Sequence, residues 1–479
     1  MRFAAWRRGR VDNMSKAEAL KYGPQGKRLL GGLFANAFNV LARIGVQFVV
    51  IPILFISWDT RLVGIWLLLS SIPSYLGLTA NGFGAAGGNL AIAAEKDGDS
   101  GLARAAFRAT WLLVTLSNFV IVGGFLLASD WIISSNVFHT ESVPRAELQA
   151  AMLWLCVYVV LSVQSAVLVL PYRHGGQYPR NIFLGSLQST LEVLATAAVV
   201  AQTKRLDMLP LALSVVRFVF LVITAYYAWL ASPGLFRRPP PGLTRKALNQ
   251  IWRPSLAFMA APVVFGFNLQ GYNLLIGALF GPVVLASFVA TRILVRGLDI
   301  ITNFAYSVQF YELPYLQGQG GDLMRRLVAT MTSAMVAISI GFIACVITLG
   351  GPVLHLWTVG KTSFDLPVAL GLSVAGVVRA ISISPAAALS ATNRNTGFMT
   401  VYTIMSALSF GLGFLAGRLG APLWVVVAMP ILAELGQLVP AFRGTAHDLE
   451  YPLRRMARDI VDFPRRWADL NQLRKDLLK

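Results

Sequence analysis

Arg43, Arg217, Arg292, Arg296 and Arg379 lie deep inside apolar stretches, each long enough to cross a bilayer. A guanidinium at the middle of a spanning helix costs about 2.5–3.5 kcal/mol on insertion scales, so these side chains face a wet cavity, a carboxylate or an anionic cargo rather than lipid. Three intramembrane carboxylates accompany them, Glu192, Asp299 and Glu434. Five arginines against three carboxylates leave two positive charges. A cavity with that residue suits a diphosphate, whose oxygens accept forked guanidinium hydrogen bonds. The alternative is a set of structural pairs, with Asp299 neutralising Arg296 one turn away and Glu192 and Glu434 taking other arginines.

Spacing sorts these residues onto helix faces. Asn36, Asn39, Arg43 and Gln47 follow steps of three, four and four, while Arg292, Arg296, Asp299, Asn303 and Tyr306 follow four, three, four and three. Two polar stripes predict a hydrated cleft. The candidate substrate contacts are Arg43, Arg292 and Arg296, supported by Asn36, Asn39, Gln47 and Asn303, with Arg379 and Arg217 as further cations. Asp299, Glu192 and Glu434 are the candidates for ion coupling, because a desolvated carboxylate can take up a proton. The histidines His139, His174, His355 and His447 lack metal-ligand spacing, and no phosphate loop of the Walker type occurs. No metal site, cofactor or catalytic residue is expected.

The elements that must position these groups are membrane spans. Hydrophobic residues make up 56% of the 479 and charged ones 13%, and the mean hydropathy is +0.63, far outside the range of water-soluble domains. About twelve apolar runs of spanning length are legible, without the alternation of a barrel. They run approximately over 29–57, 62–88, 102–129, 146–171, 178–202, 208–231, 250–279, 283–311, 324–350, 365–391, 396–417 and 421–442. The basic residues fall on one side. Of 41 Lys and Arg, five lie within spans and six (Arg61, Arg145, Lys204, Arg205, Lys361, Arg418) in one set of loops; the other 30 lie in the tails and the opposite loops. This asymmetry predicts both termini in the cytoplasm and accounts for the net charge of +19 without nucleic acid. Cys156 and Cys345 fall within spans, so no disulfide framework is expected.

The expected organisation is a basic tail (1–28), a six-helix lobe (29–231), a Pro/Arg-rich linker (232–249), a second six-helix lobe (250–442) and a basic amphipathic tail (443–479). Because each lobe has an even number of spans, the two bundles would be related by a pseudo-two-fold axis along the membrane normal. A weak repeat supports it. Gly98-Asp99 followed by Arg104 and Arg108 is matched by Gly321-Asp322 followed by Arg325 and Arg326. The second tail carries Leu453, Met456, Ile460, Phe463, Trp467, Leu470 and Leu477 at roughly helical spacing, as on a helix at the inner leaflet surface.

LVGIWLLLSSIPSYLGLTANGFGAAGGN at 62–89 and EKDGD at 95–99 resemble the second span and following loop of Wzx-type polysaccharide flippases. In the second half FGPVVLASFVATRILVRGLDIITNF (280–304), LHLWTVGKTSFD (354–365) and ALSATNRN (388–395) are similar to the corresponding parts of that family. The family belongs to the multidrug, oligosaccharidyl-lipid and polysaccharide exporter (MOP) superfamily. The resemblance implies two six-helix bundles around a cavity open alternately to either side, and a flippase for undecaprenyl-diphosphate-linked oligosaccharide in a bacterial inner membrane. It implies Arg43, Arg292 and Arg296 as cavity-facing groups. Its implied partners are the lipid-linked oligosaccharide, membrane lipids, a polysaccharide polymerase and a chain-length regulator. The competing readings are a multidrug-type small-molecule or ion antiporter and a membrane polymerase, ligase or acyltransferase. The arginine excess disfavours a cavity for cationic drugs, and short outer loops without a buried histidine disfavour the enzymes.

Overall fold

The computed structural model describes residues 48–76, 78–135, 137–316, 321–391, 394–466 and 468–469 of the chain. The regular elements there are helices, as required when spanning backbone must satisfy its own hydrogen bonds in the absence of water. In order they are α1 (Phe48–Ser57), α2 (Thr60–Leu76), α3 (Leu78–Lys96), α4 (Ser100–Ser134), α5 (Arg145–Val167), α6 (Tyr178–Gln202), α7 (Met208–Ala231) and α8 (Leu243–Gly266). They continue as α9 (Tyr272–Val295), α10 (Gly297–Leu316), α11 (Gly321–Trp357), α12 (Leu366–Ala391), α13 (Thr396–Arg418), α14 (Pro430–Asp448) and α15 (Leu453–Val461). Among the described residues nine stretches are long and apolar enough to cross a membrane, and two shorter apolar helices fall in α1 and α2. The chain is an all-α, multi-pass integral membrane protein.

Local chemistry sets the breaks. A π turn at Phe267–Gly271 joins α8 to α9, and within α9 the backbone leaves the helical region at Gly281, where φ is +84°. Residues with a Cβ rarely adopt that φ, and Pro282 next to it has no N–H to continue the ladder. This break falls between the runs read as 250–279 and 283–311.

Two compact units interleave along the chain. One takes the described residues through Val50 together with Thr79–Leu126 and Leu153–Phe258. In it α6 packs on α7, and Tyr172 donates to the Thr224 carbonyl at 3.0 Å. The other takes Ile51–Leu78, Leu127–Met152 and the chain from Met259 onward. Its central helix is α12, which packs against α10, α11 and α14. Buried Ser373, Ser382 and Ser384 on α12 let neighbouring backbones approach closely.

Also in the second unit, α2 lies along α9. At Gly64 the approach is so close that a Cβ would stand 1.8 Å from the Pro282 carbonyl oxygen. The tail helix α15 docks onto protein with Met456 and Ile460, which join Met324, Val328, Ala387 and Tyr451 in one cluster. Of the tail's expected apolar stripe, Leu453 and Phe463 remain exposed, while Trp467, Leu470 and Leu477 lie outside the described residues.

Gly64→Ala drives a methyl into backbone that cannot yield locally and is expected to cost about 1–3 kcal/mol, as overpacking does. Gly84→Ala, whose Cβ would meet nothing within 4 Å, is expected to leave stability unchanged or slightly raised. Thermal unfolding of both variants in detergent checks this, and equal melting temperatures would remove the close-approach role of Gly64.

Candidate functional site

In the second unit, charged groups from α9, α10, α12 and α14 meet at one cavity. Arg296 ends α9 and Asp299 lies in the first turn of α10, so local geometry places Arg296 Nε 2.7 Å from Asp299 Oδ2. Arg379 on α12 reaches both carboxylates, Asp299 and Glu434. Its Nη1 lies 3.5 Å from Asp299 Oδ1, and its Nη2 and Nε donate to Glu434 Oε1 at 2.6 and 3.1 Å. Arg292 takes another course. Its Nη1 donates to the Leu269 carbonyl at 2.6 Å, in the π turn where the carbonyl ladder is out of α register. Its guanidinium lies 5.1 Å from the Phe288 ring centroid.

Arg292, Arg296, Asp299, Arg379 and Glu434 all line the cavity, whose volume is about 80 Å³. That holds roughly five waters at about 15 Å³ of centre-accessible space each. It is well below the roughly 300–1,000 Å³ of sites for drug-sized ligands. Among the described lining residues, three guanidiniums against two carboxylates leave one positive charge when both carboxylates are ionised. Glu434 is 3% exposed, and its Oε2 is buried with no hydrogen-bond partner among the described residues. Around this core, Asn268 Nδ2 donates to Tyr402 Oη at 3.0 Å and Ser406 Oγ at 3.1 Å, and Gln437 Nε2 donates to Ser382 Oγ at 2.8 Å. Asn268 and Tyr402 are not legible as a site from the sequence, because each finds its partner 134 residues away.

The first unit holds a second, closed cluster. Arg217 Nη2 lies 2.9 Å from Glu192 Oε1, which also accepts from Gln188 Nε2 at 2.9 Å, while Tyr158 Oη donates to Glu192 Oε2 at 3.4 Å. Arg217 also donates to the Tyr158 hydroxyl and lies 4.6 Å from that ring's centroid. Both Glu192 oxygens are engaged, and the pair is neutral.

Of the residues singled out from the sequence, Arg43, Asn36, Asn39 and Gln47 lie outside the described residues. Arg292, Arg296, Arg379, Asp299 and Glu434 come together, whereas Arg217 and Glu192 pair with each other in the other unit. The stripe from Arg292 to Tyr306 does not run along one helix, because α9 stops at Val295 and α10 restarts at Gly297. Asn303 is accordingly exposed and does not line the cavity. Among the described residues no group of His, Cys, Asp and Glu has the arrangement of a metal site.

No protein-family model matches this chain, and no curated protein matches it. Solved structures do. The inward-facing conformation of a multidrug resistance MATE family transporter of the MOP superfamily aligns with a TM-score of 0.63 at 13% identity, covering 90% of this chain and 98% of that one. A MATE in complex with MaD3S gives 0.51 at 13% identity, with 93% and 100% covered. A mutant MATE transporter from Vibrio cholerae gives 0.50 at 14%, with 89% and 97% covered. The chain therefore has an integral-membrane transporter fold, of the type seen in MATE transporters.

This corrects the resemblance to Wzx-type polysaccharide flippases: the matching structures are multidrug-type transporters. The flippase activity, the lipid-linked oligosaccharide substrate and the polymerase and chain-length partners fall with it. The physical reason lies in what the resembling segments do. Gly64 admits the Pro282 carbonyl, Gly281 breaks α9, and Gly87 packs where a Cβ would stand 1.6 Å from Thr110 Oγ1. Lys361 Nζ donates to the Trp58 carbonyl at 3.0 Å, capping the end of α1. These are packing and capping roles, which a fold needs whatever it carries.

Removing the cation from a buried pair strands the carboxylate, so Arg379→Ala is expected to cost about 3–5 kcal/mol. Arg379→Ala combined with Glu434→Leu should recover a large part of that. Unfolding measurements on single and double variants check it; independent, additive losses would mean that the two groups do not act as a pair.

Proposed function

We propose that this chain is a small-molecule antiporter of the multidrug type. It works by alternating access of two six-span lobes joined by the linker at 232–249, in a bacterial inner membrane with both termini cytoplasmic. Its likeness in fold to MATE transporters supports the class, and the one-sided distribution of Lys and Arg supports the orientation. The observation that carries ion coupling is the asymmetry of Glu434. One oxygen accepts from Nε and Nη2 of Arg379, and the other is buried without a partner among the described residues, beside a cavity with room for water.

A proton bound at Oε2 removes the charge that holds Arg379. It raises the cavity from one net positive charge to two and loosens the tie between α12 and α14. Reversal of that step on the other side of the membrane supplies the exchange. Glu192 lacks this option, because Arg217, Gln188 and Tyr158 already occupy both of its oxygens. Of the excess of two positive charges, one belongs to the second unit's cavity and the other to Arg43, which lies outside the described residues. The first unit's pair is neutral and the second unit's cavity holds a single surplus charge, which favours neutral or anionic amphiphiles over permanent cations.

In proteoliposomes with an imposed pH gradient, Glu434→Gln is expected to reduce gradient-driven movement of a fluorescent amphiphile at least tenfold. Glu192→Gln should stay within about twofold of the parent, both fold-changes following from loss or retention of a group that cycles its proton. Gradient-driven transport by Glu434→Gln at the parent rate would overturn the coupling site. A failure of the parent protein to move any amphiphile of a neutral, anionic and cationic panel would overturn the antiporter reading.

A further inference from the structure

The first unit carries a groove separate from both charge clusters. It lies between the first turns of α4 and the segment that follows α7, where a single 3₁₀ turn covers Pro233–Phe236. Its volume is about 350 Å³, and its walls include Phe107, Arg108, Trp111, Leu112, Phe236 and Arg237. Phe236 meets Phe107 edge-on at 5.2 Å between centroids, and Phe107 lies 5.6 Å from Trp111. Trp111 is held by donating from Nε1 to Gln164 Oε1 at 2.6 Å. The aromatic wall is built and fixed.

Two arginines are among its lining residues. Arg108 and Arg237 are exposed, and neither guanidinium has a hydrogen bond or ion pair among the described residues. Arg104, one turn earlier, bonds the Ser100 carbonyl, and Arg205 and Arg217, elsewhere in the same unit, have carboxylates. An apolar track continues along α4. Leu112, Leu116, Phe119 and Val120 are 51%, 67%, 58% and 67% exposed, as expected of side chains that face acyl chains. Arg108 to Leu116 spans about 12 Å at 1.5 Å per residue. Arg237 lies just past the point where α7 stops at Ala231, the depth at which head groups and interfacial Trp belong.

We propose that this groove binds one anionic phospholipid, its phosphate received by Arg108 and Arg237 and an acyl chain lying along Trp111, Leu112 and Leu116. Phosphate oxygens match the guanidinium fork, and the aromatic and aliphatic wall supplies the apolar half of the same ligand. Two unpaired cations next to a lipid-facing track fit a molecule that is anionic at one end and hydrocarbon at the other. They do not suit a cationic or fully polar ligand.

The test is native mass spectrometry of the full-length protein, stripped of lipid and titrated with phosphatidylglycerol, phosphatidylcholine and inorganic phosphate. The parent is expected to bind one phosphatidylglycerol tightly and phosphatidylcholine weakly, with millimolar phosphate failing to displace the lipid. Arg108→Gln with Arg237→Gln should weaken phosphatidylglycerol about a hundredfold, roughly tenfold for each guanidinium–phosphate interaction removed. Arg108→Lys with Arg237→Lys, which keeps the charge and loses the fork, should fall between. Arg454→Gln with Arg458→Gln, on the exposed face of α15, removes equal charge elsewhere and should leave the tight lipid in place. Four results would overturn the proposal: equal binding of both lipids by the parent, unchanged binding in the groove variant, equal weakening by the α15 variant, or displacement of the lipid by inorganic phosphate alone.

Discussion

Arg379 is held between two carboxylates, and the second unit is arranged around it. A guanidinium within the span region is tolerated only with partners, and Arg379 finds them on both sides: Glu434 on α14 and Asp299 on α10. The helix that carries it, α12, is also the one against which α10, α11 and α14 pack. Electrostatic pairing and helix packing therefore converge on one element. Through Arg379 the two carboxylates tie α10, α12 and α14 together by direct contacts.

The two buried clusters use the same residue types to opposite ends. In the first unit Glu192 is saturated: Gln188 sits one turn away on the same helix, and Arg217 and Tyr158 close the remaining positions. In the second unit Arg379 directs two N–H groups to a single oxygen of Glu434, and the other has no donor among the described residues. A satisfied network rigidifies, whereas a partly satisfied one keeps a costly unpaired polar atom. Both clusters are built on an arginine and a glutamate; the number of donors within reach decides.

Glycine-rich and aromatic segments at 62–99 and 280–304 carry a resemblance to polysaccharide flippases that the matching structures do not sustain. The conspicuous residues in those segments are the ones that let helices touch or turn: Gly64 under Pro282, Gly87 under Thr110, and Gly281 at positive φ. Such constraints belong to a shared architecture. Cargo is selected by the charge and size of a cavity, and those properties are assembled from residues far apart in the chain.

What the sequence determines by itself is local. Hydropathy over about twenty residues specifies a helical membrane protein, because unpaired backbone groups cannot enter hydrocarbon in any open form. One ion pair is also legible, Arg296 with Asp299, since a spacing of three brings side chains together within a single turn. Tertiary structure alone decided that Arg379 meets Glu434, 55 residues away, that Arg217 meets Tyr158, 59 residues away, and that Asn303 turns outward after the break between α9 and α10. Those outcomes depend on how each helix is rotated about its axis when packed. Periodicity names the residues on a face; only the packed neighbours determine what that face meets.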